Sequence, residues 1–139
     1  ALAYMIVQDA EGGTKVARIT VSGAKSDADA DLAARAVGNS PLVKTALFGQ
    51  DPNWGRIVCA VGRSGAEFDP DQVTLALGDV VIFEKGHPAD GDLDGVLAPL
   101  MRKQDIDIRV SLGKGPGRAT LLASDLSRDY VTINADYRS

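Results

Sequence analysis

The stretch Asn39 to Gly62, NSPLVKTALFGQDPNWGRIVCAVG, decides how the rest of the chain is read. Its apolar run from Val43 to Phe48 predicts a short strand, which feeds a tight turn and then a helix. Asp51 is the expected N-cap and Pro52 the first helical residue, where a missing N–H costs nothing. Trp54, Ile57, Val58 and Val61 then fall at i, i+3, i+4 and i+7 and make one apolar stripe. Gly55, Cys59 and Gly62 form a second line of small side chains, and Cys59 is expected in the core. The backbone N–H groups over 52–55, beside Arg56, could cradle a carboxylate or phosphate. The plainer reading is a helix packed on a sheet.

Working outward towards the N-terminus, Lys15 to Ser22 alternates. Ala17, Ile19 and Val21 share one face and Val16, Arg18, Thr20 and Ser22 the other, as in a half-buried strand. Ser26 caps the next helix, with Asp29 at the capping-box position and Asp27 in the first turn. Ala28, Leu32, Ala33, Ala36 and Val37 are its expected apolar face, and Gly38-Asn39 ends it. Gly23-Ala24-Lys25-Ser26 is no phosphate loop, because Ala24 breaks the Gly-Lys-Ser order. Before the strand, Glu11-Gly12-Gly13-Thr14-Lys15 reads as a glycine-hinged turn after the end of a helix whose beginning is missing, as at a cut or truncated start.

Towards the C-terminus, Gln72 to Leu77 and Val80 to Glu84 are strands joined at Gly78-Asp79. His87 follows in an exposed turn, where a structural role is expected. Asp92 is the expected cap of a helix that turns Leu93, Val96, Leu97, Leu100 and Met101 inward, shortened or kinked by Pro99. Ile106, Ile108, Val110 and Leu112 alternate with Asp105, Asp107, Arg109 and Ser111, the clearest strand of the chain. The run Gly113-Lys114-Gly115-Pro116-Gly117 then reads as a hairpin loop to a partner strand, Arg118 to Ser124. A last short helix starts at Ser127, with Tyr130, Ile133, Asn134 and Tyr137 along one side. This mixed order predicts an α+β fold, a mixed sheet with helices packed on it, rather than a doubly wound parallel one.

Composition narrows the function. The 139 residues suffice for one core, and the net charge of −4 without a Lys/Arg cluster argues against nucleic acid. One cysteine excludes an internal disulfide and fits a reducing cytoplasm. One histidine makes a His-based metal site or a Ser–His–Asp triad hard to build. No apolar run approaches membrane-spanning length, and no cofactor fingerprint is present, so neither metal nor cofactor is expected. The residues by themselves offer no catalytic machine.

Three stretches together carry a resemblance: DAEGGTK (Asp9 to Lys15), NSPLVKTALFGQDPNWGRI (Asn39 to Ile57) and DLSRDYVTINADYRS (Asp125 to Ser139). With them the chain resembles the C-terminal part of the β chain of the ornithine acetyltransferase family, also called glutamate N-acetyltransferase. The resemblance implies a precursor that cleaves itself at an Ala–Thr bond. The new N-terminal threonine then carries acetyl from N2-acetylornithine to glutamate in arginine biosynthesis. A threonine whose own α-amino group is the base needs no histidine. The threonine and the α-chain oxyanion hole are not among these residues: residue 1 is Ala1, and Thr14, Thr20 and Thr45 do not match the nucleophile. No catalytic residue is therefore assigned here, and the chain alone is expected to be inactive.

What the resemblance carries over is substrate contact. Glu11 matches a family glutamate suited to an ammonium group. Asn134 and Ser139 match the C-terminal pair that closes the site, with Ser139 where many members have threonine. Trp54-Gly55-Arg56 is assigned to packing and support. Residues 1–15 then read as the tail of the catalytic domain and residues 16–139 as a C-terminal α+β domain whose tail returns to the active site. The implied partners are the α chain and the rest of the β chain, in a heterotetramer of two α and two β chains, with acetyl-CoA an alternative acetyl donor in bifunctional members. The competing reading is a non-enzymatic α+β module that binds a small amino acid or mediates oligomerisation.

Overall fold

The computed structural model describes residues 16–124. The elements are β1 (Val16–Ala24), α1 (Asp27–Gly38), α2 (Pro41–Phe48), α3 (Trp54–Gly62), β2 (Thr74–Leu77), β3 (Val80–Glu84), β4 (His87–Pro88), α4 (Asp94–Met101), β5 (Asp105–Ser111) and β6 (Gly117–Ser124), with a 3-10 turn at Pro70–Gln72. The strands form one six-stranded sheet in the order β4-β3-β2-β5-β1-β6. Only β1 and β5 pair in parallel; every other pairing is antiparallel. The expected α+β class holds. Residues 1–15, which include the Glu11 turn and the expected domain boundary, and the terminal helix expected from Ser127 lie outside the described residues.

One face of the sheet carries the core. Ile19 and Val21 of β1, Ile108 and Val110 of β5, and Leu75 and Leu77 of β2 are all at most 1% exposed. Ala30, Ala33, Ala34 and Val37 of α1 pack into the same cluster, together with Val43 and Leu47 of α2, Ile57 and Val61 of α3, and Leu97 and Met101 of α4. Small side chains on α1 let it approach the sheet closely: a Cβ on Gly38 would collide with Leu121 of β6. The helix is therefore rotated from the expected orientation. Ala28 and Leu32 are exposed and Ala36 is half-buried. The alanine periodicity was compatible with two neighbouring faces, and the closer approach selected Ala30-Ala33-Ala34-Val37.

The segment from Val43 to Phe48 is helix α2, not a strand. Ser40 is its N-cap, accepting a hydrogen bond from Val43 N at 3.2 Å, and Pro41 occupies the first turn. The Thr45 hydroxyl bonds back to the Pro41 carbonyl at 2.8 Å, which satisfies this β-branched residue inside a helix. Val43, Ala46 and Leu47 reach the core at i, i+3 and i+4. Because Ser40 is only 2% exposed, its lost cap cannot be replaced by water. Ser40→Ala should cost about 1–2 kcal/mol, more than the same change at the exposed cap Ser26. Urea denaturation of the two variants side by side checks the order.

Helix α3 starts two residues later than expected. Asn53, not Asp51, is the N-cap and accepts from Arg56 N at 3.0 Å. Asp51 instead accepts from the Asn53 side-chain amide at 3.1 Å. Ile57 and Val61 are buried as expected, Val58 is half-buried, and Trp54 remains 40% exposed. Cys59 faces solvent rather than the core. The buried small residue is its neighbour Ala60, since the helix rolls Ile57, Ala60 and Val61 inward.

Asp92 does not cap α4; it accepts from Asp94 N at 3.0 Å in the turn before it, and Leu93 is the N-cap. Pro99 keeps α4 to a short element, and Val96 points outward at 55% exposure, contrary to expectation. The β2–β3 hairpin at Gly78-Asp79 forms as read, with Leu77 opposite Val80. A second turn at Lys85-Gly86, both with positive φ, brings His87 back beside Glu84 as edge strand β4, and His87 is exposed.

The expected β5–β6 hairpin is not formed. Strand β6 pairs antiparallel with β1, which lies between it and β5. The glycine run 113–117 is a strap that crosses the end of β1. Leu112 N donates to Ser22 O at 2.9 Å and Gly115 N to Gly23 O at 3.0 Å. Arg118 N then donates to Asp27 Oδ1 at 3.0 Å. A Cβ on Gly115 would collide with the Ala24 carbonyl, so the glycines serve close backbone approach. Gly115→Ala should cost about 1–3 kcal/mol by forced overpacking. A loss in urea midpoint, with no loss for the exposed neighbour Lys114→Ala, is the expected result.

Candidate functional site

Glu11, Asn134 and Ser139 all lie outside the described residues; what the structure describes is the frame that holds their segments. Val16, the first residue of β1, is the cross-strand partner of Ser124, the last of β6. Antiparallel pairing therefore puts the first and last described residues side by side at one end of the sheet. Both anchors are sealed: Val16 is 1% exposed and Ser124 is fully buried. Val16 N also donates to Gln104 O at 2.7 Å, locking the start of β1 to the approach to β5. Glu11 is five residues before Val16 in sequence and Asn134 ten after Ser124.

The same end is polar. Arg18 of β1 stands opposite Asp107 of β5, and Val16 opposite Asp105. These residues line a shallow concavity of about 130 Å³. It opens onto the sheet face away from the helices, where a broader hollow of about 520 Å³ is lined by Arg18, Thr20, Asp107, Arg109, Arg118 and Thr120, among others. Arg109 makes only an exposed contact of 3.6 Å with Asp79. The alternation of β1 and β5 marked this face as the outer one; that β6 adds Arg118 and Thr120 to it was hidden by the non-local pairing.

At the start of α3, where the sequence offered an anion cradle, part of the donor set is used within the protein. Asn53 N donates to Asp51 O at 2.8 Å and Arg56 N to the Asn53 side chain. The Arg56 guanidinium donates to the Leu42 carbonyl at 2.9 Å, tying α3 to the start of α2. The Trp54 ring lies 5.2 Å from that of Phe83, between centroids, joining α3 to β3. The neighbouring hollow of about 310 Å³ carries Asp51, Asp92 and Asp94, which disfavour an anion further. Trp54-Gly55-Arg56 thus braces the helical layer.

Among the described residues, no group of three His, Cys, Asp or Glu side chains is placed to hold a metal ion. No described helix is long and apolar enough to cross a membrane. Thr45 is engaged with a backbone carbonyl, and Thr20 stands on the outer sheet face.

The fold is an α+β domain whose first and last described residues, Val16 and Ser124, are paired and buried. Its sequence assigns it further: the ArgJ family profile matches residues 1–139, and the chain belongs to that family. It is 55% identical over 138 residues to the arginine biosynthesis bifunctional protein ArgJ of Nitratidesulfovibrio vulgaris, covering 99% of this chain and 35% of that protein. The protein of the same name from Geobacter sulfurreducens is 54% identical over 138 residues, with the same coverage. The chain thus spans about a third of the length of these relatives. The crystal structure of arginine biosynthesis bifunctional protein ArgJ from Bacillus halodurans superposes with a TM-score of 0.83 at 39% identity, covering 98% of this chain and 64% of that one.

Proposed function

We propose that this chain is the substrate-gripping portion of a glutamate N-acetyltransferase, which moves acetyl from N2-acetylornithine to glutamate. In this reading the nucleophile is an N-terminal threonine in the polypeptide that the chain does not span. Its hydroxyl attacks the acetyl carbonyl, its α-amino group takes the proton, and ornithine leaves. The glutamate amine then attacks the acyl-threonine and regenerates the hydroxyl. Glu11 holds a substrate ammonium group, and Asn134 and Ser139 hydrogen-bond the amino acid's polar groups. The α chain supplies the oxyanion hole and assembles with the β chain as a heterotetramer. Acetyl-CoA is an alternative donor if the enzyme is bifunctional, and no further cofactor is used.

The single observation that supports this most is the Val16–Ser124 pairing. It brings the bases of the Glu11 segment and the C-terminal segment together, as a shared site requires. The test is to express the complete reading frame and measure acetyl transfer from N2-acetylornithine to glutamate. Intact masses should show two chains and, after incubation with donor alone, one acetyl group on the chain that begins with threonine. A complete, folded protein with neither cleavage nor transfer would favour the amino-acid-binding module instead.

A further inference from the structure

We draw no further inference here: the strongest candidate, the hollow of about 310 Å³ at the start of α3 rimmed by Asp51, Asp92 and Asp94, is an acidic cluster in which Asp51 and Asp92 already accept hydrogen bonds from Asn53 and Asp94, and nothing in the structure shows what ligand would fill it.

Discussion

Glu11→Ala in the complete enzyme should raise the KM for N2-acetylornithine by roughly ten- to a hundredfold while self-cleavage proceeds at its normal rate. A carboxylate that bonds an ammonium group contributes about 1.5–3 kcal/mol, and each 1.4 kcal/mol is a factor of about ten. Cleavage chemistry needs the threonine and its amine, not a grip on the amino acid. The two readouts therefore separate substrate contact from misfolding, which would impair both. Unchanged kinetics would remove Glu11 from the site. Glu11→Gln should recover part of the loss, because it keeps an acceptor but not the charge.

The largest expected effect on stability is at Ile108. It is fully buried in β5, opposite Ile19 of β1 on one side and Leu77 of β2 on the other. Ile108→Ala removes apolar area and leaves a cavity that flanking strands cannot close, for a cost of about 3–5 kcal/mol. With a urea slope of about 2 kcal/mol per molar, the midpoint of the 139-residue chain should fall by roughly 1.5–2.5 M. Val81→Ala, at a side chain 38% exposed on β3, should change it little. Because β5 holds β1 in register, the damage should reach the Val16–Ser124 anchors and lower substrate affinity in the complete enzyme as well.

Much of the sheet was legible because strand alternation is local. From Ala17 to Val21 in β1 and from Asp105 to Ser111 in β5, buried residues alternate with more exposed ones at period two, and the pattern names the core face. The Ser26 cap and the Gly78-Asp79 turn were legible for the same reason: each is a contact within a few residues. Helix α2 differs: its start signal, Ser40-Pro41, is local, but the β-branched and apolar run that follows fits a strand equally well. Packing of Val43 and Leu47 in one core cluster with Ile57 decides for the helix. The exposure of Cys59 depends on the roll of α3 by a fraction of a turn, which no spacing within an amphipathic helix resolves.

The sequence by itself determined the α+β class, the inward faces of β1, β2 and β5, the Gly78-Asp79 hairpin turn and, through three motifs, the family. Only the tertiary structure decided that β1 slips between β5 and β6, that the glycine strap crosses its end, and that residues 16 and 124 meet. The physical reason is that pairing between strands far apart in sequence is chosen by the fit of whole surfaces, which leaves no periodic trace in any one segment. The frame of the candidate site is made of such pairings. The motifs themselves are local, but the meeting of Val16 and Ser124 at one end of the sheet is not.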